Sequence, residues 1–200
     1  MTPLNEQAYN YLQKLIMENH FSYQEVYSET KLSKELGISR TPLRDAVHRL
    51  AQEGYIDIIP SKGFMLHQMN RKDVNETFQV RSALETYCTV QISKASSTRK
   101  AKKLFKELDW IMECMNDIME TTHSIKEFSE YDFQFHTKII DYLENEQFSN
   151  VFAMFMYRMK RLAELSLAHK GRMEQTYEEH MAILDLSLIH ISEPTRQEAI

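Results

Sequence analysis

The feature that most constrains the fold is a long stretch of chain that contains neither glycine nor proline. Between residues 70 and 170 neither residue occurs, and apolar side chains recur at three- and four-residue spacing, as in Leu104, Leu108, Ile111, Met115 and Ile118. Glycine and proline are the residues that most often interrupt helices, and this spacing places apolar side chains on one helical face. The stretch therefore predicts a bundle of long helices.

Helix ends within the bundle are predicted from capping patterns. Ser124 and Thr176 are each followed three residues later by glutamate, a spacing that lets the hydroxyl and the carboxylate cap opposite backbone amides. We therefore expect helices to begin near 124 and 176. Asn145 is expected to end the preceding helix, since asparagine tolerates the left-handed conformation of a C-cap.

The first seventy residues have a different pattern of shorter elements. A helix is expected at about 5–18 and two short helices around Gly37, followed by a hairpin that runs from Tyr55 to Gln68 with its turn at 60–63. The polar segment 68–73 predicts the domain junction. We therefore expect a mainly α protein with one domain at 1–69 and an all-helical domain at 74–185.

Composition excludes several classes of protein. The chain is 42% hydrophobic, enough for a core, yet no segment approaches the ~20 apolar residues of a membrane span. The N-terminus lacks the basic and apolar regions of a signal peptide, so we expect a cytoplasmic protein without a membrane partner. Cys88 and Cys114 fall in helical segments and are interpreted as reduced core thiols.

Residues 31–50 have the pattern of a helix-turn-helix. Two leucines give the first helix an apolar face, Gly37 supplies the positive φ of the turn, and Ser39 can cap the second helix, where Pro42 fits the first turn. A recognition helix enters the major groove by its N-terminal end. The second helix is therefore predicted to contact DNA.

Charge supports that interpretation only locally. The net charge is −5, and residues 1–69 hold seven Lys/Arg against eight Asp/Glu, whereas residues 39–50 hold three Arg against one Asp. Basic residues at this position can contact guanine or phosphate. The predicted DNA contacts are Ser39, Arg40, Thr41, Arg44 and Arg49, with Lys62 at the hairpin turn forming a wing. A packing motif with a solvated basic face remains the alternative.

The same residues carry a resemblance to a known family. The sequence Leu-Gly-Ile-Ser-Arg-Thr-Pro-Leu-Arg-Asp-Ala at 36–46, then Arg-Leu-Ala-Gln-Glu-Gly-Tyr at 49–55 and the Lys62-Gly63 pair, resembles the GntR family of bacterial regulators. The resemblance spans about 29–66. It implies a winged helix-turn-helix that binds operator DNA through Ser39, Arg40, Thr41, Arg44 and the wing residues Lys62 and Gly63.

The helical region contains a candidate metal site. Asp132 and His136 are four residues apart, so they lie on one face of a helix, and His180 follows on a later helix. A carboxylate with neutral imidazoles suits a divalent ion such as Zn²⁺, Ni²⁺ or Mn²⁺. The alternative is a structural Asp/His pair, which is common on helices. Phe128, Phe135 and Ile139 indicate that the pair is partly buried.

A second resemblance covers about 74–185. Val80-Arg-Ser-Ala-Leu-Glu85, the Asp132/His136 spacing, Asn145, and Glu179-His180-Met-Ala-Ile-Leu are similar to the FCD-type effector domain of the FadR branch of that family. The resemblance implies that Asp132, His136 and His180 are metal ligands and that Arg81 contacts the carboxylate of a small organic acid. It places a further histidine ligand beyond the last residue of this chain.

These observations predict a dimeric repressor controlled by a metabolite, because two-fold operators match two-fold proteins. Two alternatives belong to other classes. A metal-dependent enzyme could use Asp132, His136 and His180, although the sequence offers no evident nucleophile or general base beside them. A helical interaction module would show no preference for an operator.

The C-terminal residues do not fit the resemblance. Residues 186–196, Leu-Ser-Leu-Ile-His-Ile-Ser-Glu-Pro-Thr-Arg, resemble the translation of a transposon-end adapter used in sequencing libraries. We therefore expect 186–200 to be a non-native tail and assign no function to His190. Because a bundle buries its core by closing helices on one another, loss of a final helix is expected to weaken the effector domain and its metal binding.

Overall fold

The chain folds into two compact units. The structure, a computed structural model, describes residues 2–192, with side chains described for 2–155 and 157–185. Contacts divide the chain into Met1–Asp73 and Val74–Ile200. Within the described residues, no helix combines the length and the apolar character that crossing a membrane requires. The predicted non-native tail at 186–200 falls outside the described side chains.

The first unit is a small helical domain with a hairpin. In chain order it contains α1 (Leu4–Met17), α2 (Glu29–Glu35), α3 (Arg40–Gln52), β1 (Ile56–Ile59) and β2 (Gly63–Leu66). Leu12 of α1 and Leu43, Val47 and Leu50 of α3 are fully buried. Gly37, with φ 64°, lies in the turn between α2 and α3. The winged helix-turn-helix predicted from the sequence is confirmed.

The wing depends on a close backbone approach at Gly63. The strands β1 and β2 pair antiparallel, with Ile59 opposite Gly63. The backbones of Tyr27 and Phe64 exchange two hydrogen bonds, of 2.7 and 3.0 Å. Gly63 has φ 132°, and a Cβ atom there would lie 2.0 Å from the Tyr27 carbonyl oxygen. Any larger residue at 63 would therefore displace the segment that lies against the wing.

The second unit is all helical. It contains α4 (Arg71–Lys94), whose first residues belong to the first unit, α5 (Arg99–Glu120), α6 (Ile125–Asp141), α7 (Glu146–Leu167) and α8 (Arg172–Ser192). The five apolar residues that predicted a helical stripe are all buried on α5. They pack in one core with apolar residues of the other four helices. The predicted helical bundle is confirmed.

Helix ends were predicted with mixed success. Ser124 caps α6 and its hydroxyl accepts a hydrogen bond from the Glu127 amide, as expected. The start predicted at Thr176 is wrong, because α8 begins directly after Gly171, whose φ is 78°. Asn145 does not end a helix. It caps the start of α7, while Glu144 adopts the positive φ of 52° expected of a C-cap.

The two cysteines differ in burial and predict different reactivity. Both are free thiols; Cys88 has no exposed surface and Cys114 is partly exposed. Burial, with the nearby charge of Glu85, raises the pKa of the Cys88 thiol to about 11, and the thiolate is the reactive form. In the native protein at pH 8, a chromogenic thiol reagent should modify Cys114 first and Cys88 only after denaturation. Equal rates for parent and the Cys114→Ser variant would contradict this burial.

Candidate functional site

The N-terminal half of α3 presents its polar side chains to solvent. Ser39, Arg40, Thr41 and Arg44 are all exposed, on the helix end that a recognition helix directs at base edges. Ser39 occupies the N-cap position, but its side chain forms no cap hydrogen bond. The structure therefore brings four of the predicted DNA contacts onto one exposed surface. The hydrogen bond by which Ser39 was expected to cap α3 is not formed.

Two further predicted contacts lie in the wing. Lys62 is exposed at the turn between the strands, where Ser61 adopts φ 62°. Gly63 is required by its approach to Tyr27, which explains the residue without any contact to DNA.

Arg49 differs from the other predicted DNA contacts because its guanidinium is already engaged. Its Nη1 atom donates to Glu6 at 2.8 Å and its Nε atom donates to Glu53 at 3.1 Å. The guanidinium also lies over the Tyr9 ring, 3.7 Å from the centroid. Tyr9 in turn donates to the same Glu53 carboxylate at 2.5 Å. Arg49 thus joins α3 to α1.

In the second unit, the three predicted metal ligands meet inside the bundle. The Nε2 atoms of His136 and His180 are 3.1 Å apart, and they lie 3.6 and 3.2 Å from Oδ1 of Asp132. Asp132 is 6% exposed and each histidine 3%. Helix α6 contributes Asp132 and His136 one turn apart, and α8 contributes His180. Among the residues that the structure describes, these three form a cluster that could hold a metal ion, because their potential ligand atoms all lie within 4.8 Å of one another.

These separations fit one bound ion. Zinc lies about 2.0–2.2 Å from nitrogen and oxygen ligands, so ligand atoms around a single ion are separated by roughly 3.0–3.5 Å. The three distances between Asp132, His136 and His180 fall in or beside that range. The donor set of one carboxylate and two imidazoles also suits divalent first-row metals.

Other groups orient both imidazoles toward this common point. Nδ1 of His180 lies 2.6 Å from the carbonyl oxygen of Thr176, one turn earlier on α8. Nδ1 of His136 lies 2.9 Å from Oε1 of Glu85 on α4. A hydrogen bond donated from Nδ1 directs the Nε2 atom toward a metal, the arrangement common to metal-bound histidines. Nη2 of Arg81 contacts Nε2 of His136 in this structure, so a metal ion would have to displace that contact.

The charges of the cluster stabilise one another. Burial would raise the pKa of Asp132, but hydrogen bonds and charge interactions with His136 and His180 hold it well below its usual range. Burial would also raise the pKa of Glu85, yet His136 and Arg81 lower it. Both carboxyl groups are therefore ionised at neutral pH.

His136 is subject to opposing effects. Burial and the neighbouring Arg81 lower its pKa, but the carboxylates that contact its ring outweigh them, so the pKa of His136 lies above its ordinary value. The imidazole thus retains a proton more readily than a solvent-exposed histidine. A metal ion would have to displace that proton.

Arg81 lies beside the cluster. Its Nε atom donates to Glu85 at 2.8 Å, and its Nη2 atom contacts Nε2 of His136, the same atom that faces Asp132 and His180. Arg81, Asp132 and His180 all line an open cavity of about 590 Å³, a volume that includes space continuous with solvent, and its wall presents more apolar than polar surface. The predicted effector residue and two of the predicted metal ligands therefore face the same space.

Several site residues were not assigned a role from the sequence. Glu85 lies one turn after Arg81, and that spacing could have indicated an ion pair on α4. Arg172 and Glu179 form a bidentate pair of 2.9 and 3.0 Å at the cavity wall. Their seven-residue separation places them on one face of α8. This spacing could have indicated an ion pair only if the helix had been predicted to begin at Arg172.

Comparison with known families matches both units. Residues 76–188, more than half of the chain, match the FCD domain. Residues 4–66 match the bacterial regulatory proteins of the gntR family.

Curated relatives are transcriptional regulators by name. The chain is 28% identical over 150 residues to the HTH-type transcriptional regulator YdhC of Bacillus subtilis, covering 75% of this chain and 65% of that protein. It is 27% identical over 166 residues to the gluconate operon transcriptional repressor of the same species, covering 83% and 65%. With the Escherichia coli repressor RspR it shares 23% identity, covering 90% and 77%. The chain spans 56–65% of the length of the first relatives it matches.

Solved structures share the fold. A GntR-type regulator from Rhodococcus superposes with a TM-score of 0.68 at 11% identity, covering 94% of this chain and 91% of the other. McbR/YncC from E. coli superposes with a TM-score of 0.54 at 17% identity, covering 96% and 99%. At these identities the likeness concerns the fold alone.

The contacts of Arg49 predict a structural effect that Arg44 lacks. Arg49→Ala removes the ion pairs to Glu6 and Glu53 and the stacking on Tyr9, and should lower the free energy of unfolding of the first unit by about 1 kcal/mol. Arg44→Ala, at an exposed position, should change it by less than about 0.5 kcal/mol. Denaturant titration of both variants measures the difference. Equal effects would show that the Arg49 contacts contribute nothing.

Proposed function

Because the chain belongs to the GntR family of bacterial regulatory proteins and carries an FCD domain, we propose that it is a transcriptional repressor whose operator affinity is controlled by a small organic acid. The observation that carries the proposal is the pairing of an exposed basic helix end in one unit with a buried Asp/His/His cluster beside a cavity in the other. We expect the protein to act in the cytoplasm.

DNA binding is assigned to the start of α3 and to the wing. Arg40 and Arg44 are exposed near the N-terminal end of a helix whose opposite face is buried, so both can enter a major groove without rearrangement. Lys62 at the wing is suited to contact flanking phosphates. We assign Arg49 to the joining of α1 and α3, in place of the DNA contact expected from the sequence.

The cluster of Asp132, His136 and His180 is proposed to hold a divalent ion. Its support is the spacing of the three ligand atoms and the orientation of both imidazoles by groups behind them. A bound ion would supply positive charge for recognition of an anion. The family matches and the names of the relatives are those of regulators, which favours this role over a metal-dependent enzyme.

Charge indicates the class of effector. Apart from histidine, the charged side chains in the described cavity wall are two cations and two anions, namely Arg81, Arg172, Asp132 and Glu179. These charges balance, so a divalent ion would give the cavity a net positive charge. A carboxylate would then be attracted to the ion and to Arg81. One relative represses the gluconate operon, and gluconate is itself a carboxylate.

We also propose that the protein binds its operator as a homodimer. A single recognition helix makes too few base contacts for selective binding, and half-sites one helical turn apart require two copies. Helix α4 offers a surface for the second copy. Its side chains Phe78, Tyr87 and Val90 are exposed, and the residues between them on that surface, Gln79, Ser82, Ala83 and Thr86, carry no charge.

The operator proposal is tested with DNA taken from upstream of the gene. Arg44→Ala should weaken binding by about tenfold or more, because it removes a base or phosphate contact. Arg49→Ala is the matched control and should retain affinity within about threefold at a temperature where it is folded. Fluorescence anisotropy gives the affinities, and titration at high DNA concentration should give two chains per operator.

Two outcomes of that experiment would contradict the assignment. A folded Arg44→Ala protein that binds like the parent would show that the start of α3 does not contact the operator. An equal loss in both arginine variants would place Arg49 at the DNA.

The metal proposal predicts a graded loss of affinity. His136→Ala or His180→Ala should weaken Zn²⁺ binding by at least about a hundredfold, whereas Glu85→Gln should cost about tenfold because the carboxylate only orients His136. Titration against a chromogenic chelator gives the affinities. His48→Ala, an exposed histidine of the first unit, is the control. Equal zinc affinity in all these proteins would contradict the site.

A further inference from the structure

A buried hydroxyl in the cavity has no described partner. Thr77 of α4 is 1% exposed, and its Oγ1 atom forms no hydrogen bond with any residue of the described part of the chain. A helical threonine usually bonds the carbonyl oxygen one turn earlier, and leaving a buried hydroxyl unpaired is unfavourable. A partner is therefore expected from whatever fills the space that Thr77 lines.

Thr77 faces the same cavity as Arg81. Both residues line it, and their four-residue separation places them one above the other on one face of α4. A small acid with its carboxylate at Arg81 would thus have its neighbouring carbon atoms beside Thr77. Met159 and Leu162 of α7 line the apolar part of the same cavity, where a polar substituent would find no such partner.

Three other polar side chains of the wall, Ser166, Arg172 and Glu179, are already paired with one another. The hydroxyl of Ser166 accepts a hydrogen bond from Nε of Arg172 at 3.1 Å. The remaining guanidinium nitrogens of Arg172 bind the Glu179 carboxylate. Arg172 is therefore not available as a second carboxylate site without giving up those bonds, whereas the Thr77 hydroxyl has unmet hydrogen-bonding capacity.

We propose that Thr77 recognises an oxygen substituent of the effector, so that the cavity prefers hydroxy or keto acids to unsubstituted acids of the same length. The inference rests on the proposed function, in which Arg81 binds the carboxylate. It adds that the acid carries a hydroxyl or keto oxygen close to that carboxylate. A threonine hydroxyl can serve either group, since it both donates and accepts.

Matched pairs of acids test this preference. Malate is compared with succinate, and lactate with propionate, by calorimetric titration of the full chain in zinc-containing buffer. The parent should bind the hydroxy acid of a pair at least about tenfold more tightly, because a site that pairs with a hydroxyl is left unsatisfied by the analogue that lacks it. This comparison requires no variant.

Two variants then assign the preference to Thr77. Thr77→Val keeps the shape and removes the hydroxyl, so it should reduce the preference to about twofold or less and leave succinate and propionate affinities unchanged. Thr77→Ser retains the hydroxyl and should retain the preference. Circular dichroism verifies that each variant is folded.

The outcomes separate this inference from the proposed function. Acids that bind the parent without a preference for the hydroxy form, or a preference that survives in Thr77→Val, would overturn the role of Thr77 while leaving the carboxylate effector in place. If none of the four acids binds the parent, both the carboxylate effector and the inference are contradicted.

Discussion

The second unit depends on the compensation of one buried negative charge. Asp132 lies on a helix whose neighbouring positions are filled by fully buried phenylalanines, Phe128 and Phe135, an environment in which an unpaired carboxylate would be strongly unfavourable. His136 lies on the same helix as Asp132, and His180 lies on α8; both histidines contact the Asp132 carboxylate. Glu85 and Arg81 of α4 then complete the network. Three helices are therefore tied together by the same contacts that build the candidate metal site.

Such an arrangement would couple the proposed binding of an ion to the packing of three helices. Removing one member of a buried charge network leaves the others uncompensated, so an ion or anion that enters the cluster changes the interactions of α4, α6 and α8 at once. Helix α4 carries both Arg81 and Thr77 and continues directly from the residues that follow the wing. The helix that lines this cavity is thus the one whose first residues belong to the first unit.

In the first unit, basic residues close together in sequence differ in their contacts. Arg44 is exposed on α3, whereas Arg49, little more than one turn later, is held by Glu6, Glu53 and Tyr9. Gly63 likewise is explained by its approach to the Tyr27 carbonyl. Local charge in the sequence groups Arg44 with Arg49, and the family resemblance groups Gly63 with Lys62. The contacts distinguish those that build the domain from those that remain on its surface.

Local sequence patterns are sufficient to predict much of the fold and part of the candidate metal site. Helical spacing predicted the buried stripe of α5, and the four-residue separation of Asp132 and His136 placed them on one face. The contact of Glu85 with His136 joins two helices far apart in sequence, so no local pattern could indicate it. The caps at Thr176 and Asn145 were mispredicted because competing signals lay next to them. Gly171 starts the later helix earlier, and Glu144 takes the strained conformation instead of Asn145.

The most direct test of the central claim is to locate the ion itself. Crystals of the zinc-loaded protein, with diffraction data collected on both sides of the zinc absorption edge, would give an anomalous difference map. The account predicts a single strong peak within about 2.0–2.2 Å of Oδ1 of Asp132 and of Nε2 of His136 and His180, on the side of the cluster that faces the cavity with Arg81. A map without a peak at this position, or with the ion bound by other residues, would contradict the assignment of this cluster as the effector-sensing metal site.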